Sequence, residues 1–257
     1  MSSSTNALIH PTACIDENAS LGADVRVGPY AVIEADVSVG DGTVVGPHCV
    51  LRRWTRLGKR NQLAAHVVLG EAPQHRAYDG AQTWLEIGDD NVMREGVTIH
   101  RAFEQDAATR VGSRCYLMAY SHIAHDCLVG NDVTMTNYVA IAGHVEVGDF
   151  VTFGGGALIH QFVRIGAYAM VGGQAAVRKD LLPYTLSSGD PCRHYRLNSI
   201  GLRRNGITGE RYRALEHAVR TLRGPDGLAA LSAQGDSHSQ EVNALRAFIA
   251  ASQRGVS

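Results

Sequence analysis

Aliphatic residues recur at every sixth position along most of the chain. The series that begins at Ile9 continues through Ile15, Leu21, Val27, Ile33, Val39, Val45, Leu51, Leu57, Leu63 and Leu69, resumes at Ile87, Met93 and Ile99, and runs on through Val111, Leu117, Ile123, Val129, Met135, Ile141, Val147, Phe153, Ile159, Ile165, Val171 and Val177. Neither a helix nor simple strand alternation has this period. A triangular solenoid does, because each hexapeptide forms one flat side and three sides return the chain above itself. The pattern therefore predicts a β-prism.

Smaller residues follow the aliphatic positions in a fixed order. Glycine often comes next, as at Gly22, Gly40 and Gly130, and a small or β-branched residue such as Ala31 or Val133 stands four positions after the aliphatic one. We expect the aliphatic side chain to point into the prism and the glycine to serve a corner where the backbone conformation is demanding. An ordinary β-sandwich would not keep one register through two interruptions of the repeat.

Two segments interrupt the repeat, at about 71–85 and 101–110. Solenoids tolerate insertions at their corners, so these excursions are either surface decoration or substrate-gripping loops. The repeat stops after Val177, and the turn Gly189-Asp190-Pro191 predicts a domain boundary. The chain thus divides into a prism at 1–189 and a small α-helical domain at 190–257.

The second domain carries helix signals. Thr208 is placed to cap a helix over about 209–223, and a short helix is predicted near 227–234. Ser239 is placed to cap a last helix whose apolar face is Val242, Leu245, Phe248 and Ile249. Arginine is plentiful here, and some of these residues are candidates to bind phosphates or an acidic partner such as acyl carrier protein.

Composition excludes several classes of protein. The formal net charge of the 257 residues is −1, which argues against a nucleic-acid-binding protein. The 5 cysteines are scattered without a CxxC pair, as expected of reduced thiols in a cytoplasmic protein. The polar start of the chain predicts no secretory signal, and no apolar run predicts a transmembrane segment.

Titratable residues replace structural ones within the run 121–127. Here His125 is the candidate general base, with Asp126 beside it. One eighteen-residue coil further on stand Gly143, whose amide is a candidate oxyanion donor, and His144. Acyl transfer to a hydroxyl needs such a base and such donors, and needs no metal.

Other interpretations of these residues stay open. A single histidine is more often a solvated position on an outer face, and adjacent strand residues point to opposite faces, so His125 and Asp126 can pair only near a corner or a bend. Further polar interruptions, at His100 and at 160–161, suggest a shared cleft in neighbouring coils. The structural rival is a zinc site of the carbonic anhydrase type, with His100, His122 and His125 as ligands.

Several motifs together carry a resemblance to a known family. They are Val97-Thr-Ile-His100-Arg101, His122-Ile-Ala-His125-Asp126-Cys127, Ala142-Gly143-His144, His160-Gln161-Phe162, Val171-Gly172-Gly173, and Asn198 with Gly201-Leu202-Arg203-Arg204. With them the chain resembles the UDP-N-acetylglucosamine acyltransferases, the hexapeptide-repeat enzymes that begin lipid A biosynthesis. The resemblance extends over nearly the whole chain.

The resemblance implies a fold and a function. The fold is mainly β, a left-handed parallel β-helix followed by the small helical domain, assembled as a cytoplasmic homotrimer with active sites between neighbouring prisms. The activity is transfer of a 3-hydroxyacyl chain from acyl carrier protein to the glucosamine 3-hydroxyl of UDP-N-acetylglucosamine. The phosphopantetheine thioester of the carrier is a substrate, and neither a cofactor nor a metal is implied.

The resemblance also implies roles for single residues. His125 is the general base, Asp126 orients it, and the Gly143 amide stabilises the oxyanion. Two polar residues of the first excursion, His75 and Arg76, are also expected to contact the substrate. The other expected substrate contacts are His100, His122, His144, His160, Gln161, Gly173, Asn198 and Arg204. Among these, Asn198 and Arg204 would hold the nucleotide or pantetheine arms. Glycine at 173 leaves room for a longer acyl chain.

The sequence departs from the family pattern near the expected acceptor. The family's Pro-Gln-Asp-Leu-Lys-Tyr is Pro73-Gln74-His75-Arg76-Ala77-Tyr78 here, the second of two paired arginines is Asn205, and the glycine-rich second excursion reads Ala102-Phe103-Glu104-Gln105-Asp106. N-acylation of a related 3-amino sugar nucleotide is therefore a second hypothesis, since an amine nucleophile must also lose a proton to His125.

Overall fold

Three parallel β-sheets form the sides of a triangular prism in the computed structural model, which describes residues 8–224, 226–227, 230–231 and 237–257. Over regular coils each strand pairs with the strand eighteen residues further along, so that His122 lies beside Ala140 and Leu128 beside Glu146. The chain is thus a left-handed parallel β-helix, which confirms the expected mainly-β fold.

The strands are numbered in chain order. The first sheet contains β1 (Leu8–Ile9), β4 (Arg26–Val27), β7 (Val44–Val45), β10 (Gln62–Leu63), β13 (Val92–Met93), β16 (Tyr116–Leu117), β19 (Thr134–Met135), β22 (Thr152–Phe153), β25 (Met170–Val171), β27 (Thr185–Ser188) and β28 (Arg193–Leu197). The second contains β2 (Cys14–Ile15), β5 (Val32–Ile33), β8 (Val50–Leu51), β11 (Val68–Glu71), β14 (Thr98–His100), β17 (His122–Ile123), β20 (Ala140–Ile141), β23 (Leu158–Ile159) and β26 (Ala176–Val177). The third contains β3 (Ser20–Leu21), β6 (Ser38–Val39), β9 (Thr55–Leu57), β12 (Trp84–Ile87), β15 (Ala108–Val111), β18 (Leu128–Val129), β21 (Glu146–Val147) and β24 (Arg164–Ile165).

The predicted aliphatic positions form the core of the prism. From Val27 upward they are buried, and the small residues that precede them, such as Val25 and Val133, are buried as well. In the lowest coil of the described residues, Ile15 and Leu21 are only partly buried. A regular side thus turns two residues inward, the aliphatic one and the smaller one two positions before it, and together they fill the triangle.

The corners differ from the prediction. The left-handed backbone conformation falls three residues after most of the aliphatic residues, and mostly on residues with side chains, such as Asp126 and His144, both at φ 59. The glycine that follows the aliphatic residue has another purpose: a Cβ on Gly40 would lie 2.6 Å from the carbonyl carbon of Gly58. The expectation that this glycine relieves a demanding backbone conformation was therefore wrong. It allows stacked coils to approach closely.

The excursions are shorter than predicted and are tied together. Strands β11 and β12 extend to Glu71 and back to Trp84, and β15 begins at Ala108, so the loops comprise 72–83 and 101–107. The Arg101 guanidinium donates hydrogen bonds to the Gly70 carbonyl at 2.6 Å and to the Tyr78 hydroxyl at 3.2 Å. One buried cation thus fastens the second loop to the first.

The C-terminal domain begins inside the prism's first sheet. Strands β27 and β28 form an antiparallel hairpin that extends this sheet, so the predicted boundary at 189/190 falls within the hairpin. Among the described residues, the helices that follow are α1 (Ser199–Arg204), which was not predicted, α2 (Gly209–Leu222) and α3 (Gln240–Ala250). The short helix predicted at 227–234 includes residues outside the described part of the chain.

The helix caps explain where two of these helices begin. Ser239 caps α3 as predicted, because its hydroxyl accepts the Val242 N–H at 3.4 Å. Thr208 precedes α2, but its side chain makes no capping hydrogen bond. Leu215 and Leu245 pack with Leu182 at the top of the prism, which joins the helices to the solenoid. None of the described helices is long and apolar enough to cross a membrane.

A buried asparagine tests how strongly the coils depend on internal hydrogen bonds. Asn91 is fully buried, donates to the carbonyls of Gly88 and Gly112 at 3.1 Å, and accepts the Cys115 N–H at 2.8 Å. Asn91→Ala leaves the Gly112 carbonyl and the Cys115 N–H unpaired in the core, while the Gly88 carbonyl still accepts from the Asn61 side chain, so we expect the free energy of unfolding to fall by about 2 to 3 kcal/mol. Denaturant titration at fixed protein concentration measures this loss. Asn18→Ala, at an exposed corner, is the control, and equal losses in both variants would contradict the prediction.

Candidate active site

The candidate residues meet at the corner that joins the second sheet to the third. His125 and Asp126 lie between β17 and β18, and Gly143 and His144 occupy the equivalent corner of the coil above. The His144 N–H donates to the His125 carbonyl at 3.0 Å, which holds the two corners in register.

His125 and Asp126 form a hydrogen-bonded dyad. His125 Nδ1 lies 2.6 Å from Asp126 Oδ2, and only 12% and 11% of the two side chains are exposed. The left-handed conformation of Asp126 removes the strand alternation that would send adjacent side chains to opposite faces. An ionised carboxylate only accepts hydrogen bonds, so Nδ1 donates and Nε2 keeps its lone pair. This is the tautomer that a general base requires.

The environment of Asp126 favours its ionised form. Burial acts to raise the pKa of this carboxyl, but the hydrogen bond from His125, the N–H of Phe103 and the nearby His144 together hold the pKa below its usual value. The Phe103 N–H lies 3.1 Å from Oδ2 and 3.2 Å from Oδ1. Thr109 Oγ1 accepts the backbone N–H of Asp126 at 2.8 Å. Sequence reasoning missed Phe103 and Thr109, because a backbone donor and a distant hydroxyl leave no motif.

Gly143 lies directly against the imidazole of His125. A Cβ at this position would lie 2.7 Å from Cε1 and 2.8 Å from Nε2 of His125, so only glycine fits without moving the base. Among the residues that the structure describes, no group accepts a hydrogen bond from the Gly143 N–H. A free amide next to Nε2 is suitably placed to stabilise an oxyanion that forms there.

An open cleft of about 780 Å³ adjoins the dyad and reaches the C-terminal segment. His144 lines it with its imidazole stacked on Phe162 at a centroid distance of 4.6 Å, and its Nε2 is 3.8 Å from Asp126 Oδ2. The opposite wall contains Arg254, whose guanidinium approaches His160 Nδ1 to 3.4 Å. The cleft is large enough to hold part of a substrate beside the base.

His100 and His122 form a second, more buried pair below the dyad. Their rings meet edge to face at 4.9 Å, and Thr98 Oγ1 lies 2.7 Å from His122 Nδ1. Burial, and next the adjacent His122, lowers the pKa of His100 to about 4. Burial, and next the charge of His125, lowers the pKa of His122 as well. Both rings are therefore neutral at pH 7 and serve as uncharged polar walls.

The first excursion brings one of its two predicted residues to the dyad. The His75 ring lies 5.9 Å from that of His125 and 4.4 Å from that of Phe103. Arg76 is exposed on the same loop, and no ion pair involves it among the described residues. His75 thus belongs to the wall of the site, whereas Arg76 remains at the surface.

The other predicted contacts lie farther along the chain. Gln161 stands above Gly143, because the Phe162 N–H donates to the Gly143 carbonyl at 3.1 Å. Gly173 follows β25 and therefore lies at a different corner, between the first and second sheets. The Asn198 side chain caps α1 and donates to the Tyr168 carbonyl at 2.9 Å, and Arg204 is exposed at the end of that helix.

The predicted zinc ligands do not assemble. Among the described residues, the only group whose ligand atoms lie within 4.8 Å of one another is His125, Asp126 and His144, and not the predicted trio with His100 and His122. Within that group His125 Nδ1 and Asp126 Oδ2 are already joined to each other by a hydrogen bond of 2.6 Å. The arrangement is that of an acid–base dyad.

The fold and the dyad together define the class of protein, a hexapeptide-repeat acyltransferase. The family model for the bacterial transferase hexapeptide (six repeats) matches residues 18–53, and the model for UDP N-acetylglucosamine O-acyltransferase, domain 2, matches residues 180–257. Similar proteins extend the match to the whole chain, and the following comparisons identify the family.

Two relatives named acyl-[acyl-carrier-protein]–UDP-N-acetylglucosamine O-acyltransferase are similar over nearly their whole length. That of Halorhodospira halophila is 46% identical over 96% of this chain and 98% of its own, and that of Thiobacillus denitrificans is 43% identical over 97% and 99%. The structure of LpxA from Acinetobacter baumannii has a TM-score of 0.92 at 36% identity, covering 97% of this chain and 99% of its own. The chain belongs to the UDP-N-acetylglucosamine O-acyltransferase family, which confirms the resemblance.

Burial of His100 predicts a specific acid sensitivity. Since the pKa of His100 falls from 6.5 to about 4 on folding, the neutral ring contributes stability that is complete above pH 6.5 and is lost as the pH falls toward 4. The loss attributable to this group is about 3 kcal/mol. We expect the free energy of unfolding of His100→Gln to fall less than that of the wild type when the pH is lowered from 7 to 4. Denaturant titration at each pH measures both losses. His10→Gln, at an exposed position, is the matched control; an unchanged pH dependence in His100→Gln would exclude this role.

Proposed function

We propose that the protein transfers a 3-hydroxyacyl chain from acyl carrier protein to the glucosamine 3-hydroxyl of UDP-N-acetylglucosamine, the reaction that begins lipid A biosynthesis. The observation that carries the proposal is the His125–Asp126 dyad, with Nδ1 and Oδ2 2.6 Å apart, beneath the free amide of Gly143. Relatives at 46% and 43% identity bear the name of this activity.

The geometry suggests a sequence of proton and bond changes. His125 Nε2 takes the proton of the 3-hydroxyl as its oxygen attacks the thioester carbonyl carbon. The carbonyl oxygen becomes an oxyanion, which the Gly143 N–H stabilises, while ionised Asp126 stabilises the imidazolium. Collapse of the tetrahedral intermediate breaks the carbon–sulfur bond. The pantetheine sulfur leaves and takes the proton back from His125, which restores the dyad.

The surrounding side chains would bind and orient the substrates. His122, His144, His160 and Gln161 line the dyad's corner or the coils beside it. Neutral His100 would support His122. Asn198, which caps α1, and Arg204, at the exposed end of that helix, would contact the nucleotide or pantetheine. The acyl chain would end near Gly173. The carrier's thioester is itself a substrate, so the proposed reaction needs no cofactor and no metal.

We further propose a cytoplasmic homotrimer. Large apolar side chains remain exposed on the outside of the isolated prism: Tyr120 is 58% exposed, Tyr138 64% and Leu158 58%. Contact between prisms would cover such residues. The scattered thiols suit a reducing compartment.

The departures from the family pattern in the first excursion bear on the identity of the acceptor. His75, where the family pattern has aspartate, lies 5.9 Å from the base. A 3-amino sugar nucleotide is therefore the second candidate acceptor. The same base would remove the proton from the attacking nitrogen.

Activity toward two acceptors tests the proposal. Transfer from a panel of 3-hydroxyacyl carrier proteins is measured with UDP-N-acetylglucosamine and with its 3-amino analogue. We expect product from the hydroxyl acceptor, and a loss of about 10² to 10⁴ in kcat for His125→Ala, because the base is removed. His10→Ala, an exposed histidine, is the control. Product from the amine acceptor alone would mean that the changed loop residues determine the choice of acceptor. No product from either acceptor would overturn the proposed function.

Gly143→Ala tests the contact between the oxyanion donor and the base. The added methyl group would lie within 2.8 Å of His125 Nε2, so the imidazole must move. We expect kcat to fall by roughly a hundredfold, comparable to loss of one oxyanion donor, with the circular dichroism spectrum unchanged. Gly155→Ala is the matched control, since its Cβ would meet its nearest atom at 3.5 Å. Equal activity of the two variants would remove Gly143 from the mechanism.

A further inference from the structure

The carboxylate of Asp126 is held by a group outside the repeat. The N–H of Phe103, in the loop 101–107, donates to both carboxylate oxygens, at 3.1 and 3.2 Å. Within the described part of the chain, this amide and His125 are the hydrogen-bond donors to that carboxylate. We propose that Phe103 is a positioning residue whose backbone amide fixes the Asp126 carboxylate against His125 and keeps the dyad ready for catalysis.

The carboxylate needs such a partner because of its place in the fold. Thr109 Oγ1 accepts the N–H of Asp126 at 2.8 Å and so fixes the main chain at the corner. The side chain, however, can still rotate about Cα–Cβ, and Asp126 is on the surface side of the prism. A donor fixed in space selects the rotamer in which Oδ2 meets His125 Nδ1 at 2.6 Å.

The amide is itself fixed from both sides. The preceding residues are anchored to the coil below, because the N–H of Ala102 donates to the Trp84 carbonyl at 3.2 Å and Ala102 is fully buried. The Phe103 ring lies 4.4 Å from the ring of His75 in the other excursion. The two loops therefore hold one N–H at the dyad. A displacement of either loop would move this N–H and, through Asp126, change the position of His125.

The chemical consequence is stabilisation of the carboxylate charge. An N–H donor favours the ionised form, which must persist while His125 carries the substrate proton. The titratable groups that face the carboxylate are His125 and His144, and Glu146, Arg164 and Arg254 line the cleft beside it. His75 faces His125 from the loop. None of these groups replaces a directed hydrogen bond on both oxygens.

Replacing the amide by an ester tests this inference without changing the side chain. The full-length protein is made with 3-phenyllactate at position 103 by nonsense suppression, so that the N–H becomes an oxygen. Suppression with phenylalanine at the same codon gives the reference protein. Phenyllactate at Phe150 is the matched control, because it removes one backbone hydrogen bond, from Phe150 to the Asn131 carbonyl at 2.9 Å, at another corner.

Two measurements are made on each protein. We expect the position-103 ester to lower kcat roughly tenfold to a hundredfold with KM unchanged, as loss of a hydrogen bond to a charged group predicts. The acidic limb of the kcat profile should move to higher pH. The carboxyl ¹³C resonance of Asp126, assigned by its loss in Asp126→Asn, should titrate about one pH unit higher. The Phe150 ester should match the reference in both measurements.

The inference rests on the proposed function, but the two fail separately. An unchanged ¹³C midpoint in the position-103 ester would overturn the inference whatever the activity. A fall in kcat without a shift in midpoint would also overturn it, since general disturbance of the loop would explain that result. If the reference protein transfers no acyl group, the proposed function fails, and the ¹³C midpoint alone decides whether Phe103 holds the carboxylate.

Discussion

The hydrogen bonds between stacked coils are the constraint on which this structure depends. Each coil contributes only short strands, and each strand within a sheet pairs with those above and below, so over the regular coils a register of eighteen residues is enforced on all three sheets at once. Side chains reinforce it at the corners: Asp149 accepts the N–H of Asn131 at 2.7 Å, and Asn131 accepts that of Ser113 at 2.9 Å. Residues far apart in sequence therefore stand in exact vertical columns, which is how Gly143 comes to lie on His125.

The His125–Asp126 dyad uses a feature that the scaffold needs for its own folding. The chain turns sharply three residues after most of the inward aliphatic residues, and it does so in the left-handed conformation. For residues with a side chain this conformation costs roughly 1 to 2 kcal/mol. At several corners the side chains there stack on one another from coil to coil, as Tyr120 does on Tyr138. At Asp126 the turn directs the carboxylate toward the preceding His125, so a pair of adjacent residues can act as base and orienting group.

The two excursions extend the site beyond what a regular prism offers. They leave the solenoid in the coils just below the dyad and are joined by the buried Arg101. From there Phe103 reaches the carboxylate and His75 reaches the base. The rigid columns position the proposed base, its partner and the proposed oxyanion donor, whereas the loops form the surroundings of the proposed acceptor site. Two of the three departures from the family pattern lie in these loops, whereas Asn205 lies at the end of α1.

The sequence by itself determined the prism, because a period of six that keeps its phase from Ile9 to Val177 has few physical explanations. It also predicted that Gly143 lies one coil above His125, since over the regular coils a fixed coil length converts spacing in sequence into neighbours in space. Only the tertiary structure decided that the glycine after each aliphatic residue permits close stacking, as at Gly40, and that β28 continues the prism past the predicted boundary. It also revealed Phe103 and Thr109. Their contributions are a backbone N–H and a hydroxyl from other coils, and such contacts depend on where loops settle, which no local pattern of residues records.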